Sequence, residues 1–210
     1  MDELIKSLID RGVLKTPWII DAFSKVDRVD FVPERLRNLT YEDGALPIGH
    51  GQTISQPYTV AFMLELLEPQ KGGHILDIGS GSGWQSALLA EIVGDSGRIY
   101  SVEINPNIFK IGKRNLTKYP DLSRRIELYC QNANNGLPKI AKEIGDFDNI
   151  IAAAEVEEVP SGWREQLKIG GKLVYPRDNS VFLEIKKTKT DFEINQFPGF
   201  VFVPFINLSC

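Results

Sequence analysis

The chain has 210 residues, a hydrophobic share of 42%, and a formal net charge of −4. That length suits one domain able to bury a proper core. The acidic balance (pI about 5.3) lacks the basic footprint of a free-standing nucleic-acid binder. No apolar run approaches the roughly 18 residues of a membrane span, and Met1-Asp-Glu-Leu-Ile-Lys6 reads as an amphipathic start and not as a secretory signal. Two cysteines, Cys130 and Cys210, form no metal pattern or disulfide framework. The expectation is a cytoplasmic protein with reduced thiols, monomeric by default, without membrane, nucleic-acid or metal partners. Without export, the Asn-x-Ser/Thr triplets at Asn38, Asn115 and Asn207 are chance matches.

In chain order, Leu4, Leu8 and Ile9 lie at helical spacing, with Gly12 as a stop. Thr16-Pro17 opens a second helix, Thr16 as N-cap and Pro17 at the first helical position. Residues 31–56 are rich in Pro, Gly and polar residues and read as a long irregular segment of the kind that carries function. Pro57 starts an apolar helix. Strands and helices then alternate: strand Ile75–Ile78, helix Gln85–Val93, strand Arg98–Glu103, and helix Pro106–Tyr119 capped by Asn105. Next come strand Ile126–Cys130, helix Leu137–Ile144, strand Asn149–Ala153, helix Ser161–Leu167, and strand Lys172–Tyr175 after Gly170-Gly171. Val181–Lys187 and Phe200–Phe205 read as strands with no helix between them. The pattern predicts a doubly wound, Rossmann-like α/β sheet, mostly parallel with an antiparallel C-terminal strand, behind an N-terminal helical extension. Residues 1–210 read as one domain, in which 1–57 hold the N-terminal helices and acceptor segment and 58–210 the cofactor core.

The run Asp77-Ile-Gly79-Ser80-Gly81-Ser-Gly83 joins a strand to a helix through alternating glycines. Its G-x-G-x-G spacing differs from the dinucleotide fingerprint, and no G-K-[ST] follows to make a P-loop. Glu103 follows Gly83 by 20 residues, at the end of the next strand, where a carboxylate accepts hydrogen bonds from a ribose diol. Together these point to S-adenosyl-L-methionine (SAM), with Asp77, Gly79, Ser80, Gly81, Gly83 and Glu103 as candidate cofactor residues. Ile104 is placed to cover the adenine face. Asn132 and Ala133, after the third strand, are placed to meet the adenine edge.

Upstream stands Gly51-Gln-Thr53-Ile54-Ser55-Gln-Pro57. Together with Arg28-Val-Asp-Phe31-Val32-Pro33, Tyr41-Glu-Asp43, the glycine loop, Phe147-Asp148, Gly170-Gly171 and Phe202-Val203-Pro204-Phe205, this run strongly resembles the protein-L-isoaspartate (D-aspartate) O-methyltransferases over nearly the whole chain. The resemblance implies SAM-dependent methylation of the free α-carboxylate of L-isoaspartyl residues in damaged proteins and peptides, with D-aspartyl acceptance left open. The resulting ester closes to a succinimide, which partly reopens as normal Asp. The family match gives Ser55 the place beside the reacting centre, Thr53 and Ile54 the acceptor pocket, and Val203-Pro204 backbone contacts to substrate. The chain departs from the family's Gly-Asp-Gly after the third strand, where Gln131-Asn132-Ala133 stands.

The residues agree with that chemistry independently. A carboxylate is already an anion at pH 7, so attack on a sulfonium methyl needs no general base. A chain with two histidines, His50 and His74, and no evident nucleophile–base pair suits such a reaction. The alternatives are a methyltransferase acting on RNA or a small molecule, and a SAM-binding module without catalysis.

Overall fold

A computed structural model describes residues 1–206. The triplet at Asn207 and Cys210 lie outside the described residues. Helix α1 (Asp2–Asp10) has Asp2 and Glu3 in its first turn, where they favour the helix dipole, and it buries Leu4, Ile5 and Leu8. Helix α2 (Pro17–Lys25) begins as predicted after Thr16. The Thr16 hydroxyl does not cap its own helix, however. It donates to Glu65 Oε2 at 2.7 Å, and Glu65 Oε1 accepts the Lys15 and Thr16 amides, both at 2.8 Å.

The segment expected to be irregular contains a two-stranded hairpin, β1 (Leu46–Gly49) and β2 (Gln52–Ile54). Its tip, His50 and Gly51, has φ of 51° and 73°. Two successive positive φ values match the twist of a tight hairpin. With Gly51 at the second position, only His50 carries a side chain in a left-handed conformation. Helix α3 (Pro57–Leu67) follows, with seven buried residues.

The second sheet contains β3 (His74–Ile78), β4 (Arg98–Glu103), β5 (Ile126–Cys130), β6 (Phe147–Ala152), β7 (Leu167–Arg177), β8 (Ser180–Lys186) and β9 (Phe192–Pro198). Their spatial order is β5-β4-β3-β6-β7-β8-β9. All pairings from β5 through β7 are parallel; β8 runs against both β7 and β9. Helices α4 (Trp84–Val93), α5 (Pro106–Leu116), α6 (Pro120–Ser123), α7 (Pro138–Ile144) and α8 (Ser161–Glu165) complete the crossovers. The doubly wound, mostly parallel sheet is therefore as expected. Strand alternation divides the core: Ile75 and Ile99 pack with α1–α4, whereas Leu76, Ile78, Tyr100 and Val102 pack with Trp163 and the α7 side.

Most boundaries shift by one or two residues, and three differences are larger. The helix predicted over 106–119 stops at Leu116, and Pro120 restarts a separate short turn. The strand predicted after Gly170-Gly171 instead runs through them from Leu167, so the preceding helix ends at Glu165. A Cβ at Gly171 would lie 2.7 Å from the Asp148 carbonyl, so close strand approach requires glycine there. Finally, Phe200–Phe205 is not a strand. The last strand is Phe192–Pro198, and Gly199 (φ +99°) releases the chain. The freed segment is held by the Gly199 and Phe200 amides donating to Asn179 O at 3.0 and 3.1 Å and by an isolated parallel bridge between Glu155 and Pro204.

Candidate active site

Strand order reverses between β3 and β6, and ligands of such sheets bind at the carboxyl ends of the strands beside that point. A cleft of about 1000 Å³ opens there. Gly79, Ser80 and Gly81 after β3, Glu103 and Ile104 after β4, and Gln131 and Ala133 after β5 line one part. Thr53, Ile54, Ser55, Val203 and Pro204 line another. Eleven of the fourteen residues expected at the site thus meet in one cavity.

The glycine loop is shaped by its hydrogen bonds. Gly79, Gly81 and Gly83 all have positive φ. The Gly79 and Ser80 amides donate to Val102 O at 2.8 and 3.1 Å, pinning the loop to β4. Glu103 holds it from the side. Its Oε2 accepts the Gly81 N–H at 3.0 Å and its Oε1 accepts the Asn105 N–H at 2.9 Å. Each oxygen keeps a lone pair for a ligand hydroxyl. Glu103 is buried, and that burial pushes its pKa above the ordinary 4.5. Hydroxyl donors stabilise the ionised form, so binding lowers this pKa and releases a proton. Affinity for the ribose expected at this carboxylate should therefore fall as pH drops through its raised pKa. Binding titrations between pH 4.5 and 8 check this; an affinity that is flat or rises toward acid refutes it.

Asp77, Gly83 and Asn132 do not line the cleft. Alternation along β3 turns Asp77 beneath α4, where it is fully buried. It accepts from Gln85 Nε2 at 2.8 Å and Ser86 Oγ at 2.5 Å, and Ser101 Oγ lies 3.4 Å away. Desolvation raises its pKa against these three donors. Asp77 thus ties α4 to the sheet under the loop. Gly83 sits where α4 begins, and a Cβ there would meet Leu116 Cγ at 3.1 Å. Asn132 Oδ1 accepts the Asn134 N–H at 2.6 Å. The cleft side of that turn is formed by its neighbours Gln131 and Ala133, and the Ala133 carbonyl is fixed by Trp163 Nε1 at 2.7 Å.

A supporting glycine went unnoticed in the sequence. A Cβ on Gly112 of α5 would stand 2.7 Å from the Gly81 carbonyl. Gly112→Ala therefore displaces the loop, costing about 1–3 kcal/mol and weakening cofactor binding. Thermal melts and cofactor titration check this; unchanged binding would show that the contact is not needed.

On the acceptor side, Arg28 is completely buried. It donates to Thr40 O at 2.6 Å, Gly44 O at 2.8 Å and Ser55 O at 3.1 Å. Desolvation lowers its pKa to about 10, partly opposed by Asp43. The guanidinium fork thereby clips the chain on both sides of β1–β2 to one point. Asp43 Oδ1 accepts the Tyr58 N–H at 2.8 Å in the first turn of α3. The N-terminus of α3 is thus capped by Asp43, and the Ser55 hydroxyl makes no hydrogen bond among the described residues. Val203 and Phe205 are held by Glu155, through Glu155 N–H to Val203 O at 2.8 Å and Phe205 N–H to Glu155 O at 2.7 Å. The RVDF and YED stretches were visible in the sequence as family features, but nothing local marked Arg28 as a backbone clip.

Among the described residues, no cluster of three or more His, Cys, Asp or Glu is arranged to hold a metal. No helix among them is long and apolar enough to cross a membrane.

The family model for protein-L-isoaspartate(D-aspartate) O-methyltransferase matches residues 1–209. Protein-L-isoaspartate O-methyltransferase of Flavobacterium psychrophilum is 42% identical over 209 residues, covering 98% of this chain and 93% of that protein. Its namesake from Ignicoccus hospitalis is 36% identical over 208 residues, covering 97% and 96%. A solved structure named protein-L-isoaspartate O-methyltransferase superposes with a TM-score of 0.85 at 28% identity, covering 97% of this chain and 65% of that one. A Plasmodium falciparum β-aspartate methyltransferase in complex with S-adenosyl-L-homocysteine shares the fold, with a TM-score of 0.88 at 23% identity and 98% coverage of both chains.

Proposed function

The chain belongs to the protein-L-isoaspartate (D-aspartate) O-methyltransferase family, and we propose that its cleft aligns the α-carboxylate of an L-isoaspartyl residue at Ser55 for methyl transfer from SAM. It is a SAM-dependent carboxyl O-methyltransferase acting on isoaspartyl residues in damaged proteins and peptides. The observation that supports the site reading is that residues 52–56 and the loop residues 79–82 line one cleft, with the Ser55 hydroxyl making no hydrogen bond among the described residues.

When bound, SAM supplies an electrophilic methyl on a sulfonium. The protein's own residues bind and orient. Gly79 and Gly81, lacking side chains, allow close backbone approach to the methionine end. Glu103 accepts from the ribose hydroxyls, Ile104 covers the adenine face, and Ala133 with Gln131 bounds its edge. Asn132 supports that turn through Asn134. Ser55 donates its hydroxyl to one oxygen of the acceptor carboxylate, leaving the other to attack. Thr53 and Ile54 shape the pocket, and the N-terminus of α3 favours the anion. The Val203 N–H, without a hydrogen-bond partner among the described residues, is available to substrate backbone alongside Pro204. Alignment lowers the barrier, with roughly 7–11 kcal/mol as the ceiling for such effects.

We read residues 1–210 as one methyltransferase domain, supported by a hydrophobic cluster running from Leu4 to Leu183. We further place the protein in the cytoplasm as a monomer whose partners are isoaspartyl proteins, not nucleic acid or membrane. The acidic net charge and the exposed Cys130 thiol support this.

Ser55→Ala tests the assignment. It is expected to lower kcat on an isoaspartyl peptide by about 10–100-fold, as loss of one charge-assisted hydrogen bond implies. SAM affinity should stay within twofold. An unchanged kcat would remove Ser55 from the reaction, and a matching loss of SAM affinity would make its role one of cofactor binding.

A further inference from the structure

Beside the acceptor pocket, four aromatic rings form a continuous shelf. Tyr58 and Phe62, one turn apart on α3, are parallel with centroids 6.4 Å apart. Phe200 stacks on Phe62 at 4.8 Å, and Phe197 meets it edge-on at 5.4 Å. All four rings are half-buried and line the same cleft as Ser55. Val201, next to Phe200, is 81% exposed, so the apolar surface continues outward to the rim. Arg11 closes the other end, its guanidinium 4.3 Å from the Tyr58 ring centroid.

Reach decides what can lie there. Tyr58 is three residues from Ser55, and Phe62 lies about 6 Å further along the helix. An extended peptide advances about 3.3–3.6 Å per residue. A peptide with its isoaspartyl carboxylate at Ser55 therefore carries the side chain of an adjacent residue over the shelf. Resting on the isoaspartyl methylation reading above, we propose that Tyr58, Phe62, Phe197 and Phe200 form a specificity subsite for an aromatic or large aliphatic side chain flanking the isoaspartyl residue. The rings hold one another at the separations aromatic pairs prefer, and their half-exposed parts present apolar surface to the cleft. The subsite makes repair selective: damaged sites with an aromatic or leucine neighbour are methylated ahead of those flanked by small or acidic residues.

The test uses blocked hexapeptides containing one isoaspartyl residue, with Phe, Leu, Ala or Glu placed directly before or directly after it. In the wild-type protein, Phe and Leu at one flank are expected to lower KM about 5–20-fold relative to Ala, with Glu weakest. In Phe62→Ala and Phe200→Ala, each checked for folding by thermal melting, that ratio narrows to within about twofold. Phe200→Leu retains preference for Leu over Ala. A wild-type KM that varies less than twofold at both flanks overturns the subsite without any variant being needed. Selectivity that survives both alanine variants overturns it too. Loss of transfer to every isoaspartyl peptide would instead contradict the methylation reading itself and take the subsite with it.

Discussion

Glu103→Ala is expected to weaken SAM binding by about 100–1000-fold. The carboxylate is buried and already anchors the Gly81 and Asn105 amides. In the proposed site two ribose hydroxyls would donate to it, in charge-assisted hydrogen bonds of about 1.5–3 kcal/mol each. Losing most of that, at 1.4 kcal/mol per tenfold, gives the stated range. The loop itself loosens, because Gly81 N–H loses its acceptor. Glu103→Gln keeps one acceptor oxygen but turns an amide donor toward the second site, so its loss should be nearer tenfold. Calorimetric titration with SAM reads both. A Glu103→Ala dissociation constant within threefold of wild type would show that the ribose is held elsewhere.

Arg28→Ala carries the second large effect, and it falls on stability. The substitution removes a fully buried side chain and leaves the carbonyls of Thr40, Gly44 and Ser55 without their donor. Unsatisfied buried acceptors cost about 1–3 kcal/mol each, partly relieved by water entering the cavity. A net loss of about 3–5 kcal/mol is expected, or roughly 6–20 °C in Tm for a chain of this size. Arg28→Lys restores the charge but not the fork that reaches three carbonyls, so it recovers only part of the loss. Because Ser55 O is one of the three acceptors, the acceptor loop slackens, and KM for peptide should rise even where the protein remains folded. A melt within about 2 °C of wild type would show that Arg28 is not the clip.

Much of this was legible in the sequence, for identifiable physical reasons. Strands β4 and β5 match their predicted limits at Arg98–Glu103 and Ile126–Cys130. In β4 every residue after Arg98 is buried, and Ile99, Tyr100 and Val102 mark the strand despite Ser101 and Glu103. The link from the glycine loop to Glu103 is also local, depending only on one strand, one turn and one crossover. Side-chain direction was less legible. Asp77 sits within the motif, yet the two-residue period of β3 aims it under α4. Strand β9 was missed because it is a half-exposed outer strand, in which Glu193, Ile194 and Gln196 face solvent and blunt the apolar alternation. The Phe- and Val-rich stretch after it looked more like a strand, although it crosses the cleft and contributes Val203 and Pro204 to the site. The β1–β2 hairpin was hidden because its turn is His50-Gly51 and not a usual Asn-Gly pair. Long-range devices such as Arg28 and Gly112 depend on which segments meet in space, and one sequence does not state that.

The central claim is tested most directly by incubating the protein with methyl-labelled SAM and paired peptides that differ only in carrying isoaspartate or aspartate at one position. The account predicts base-labile label on the isoaspartyl peptide alone, because a carboxyl methyl ester hydrolyses in mild base whereas an N-methyl group does not. SAM binding without transfer, label on both peptides, or base-stable label would contradict it.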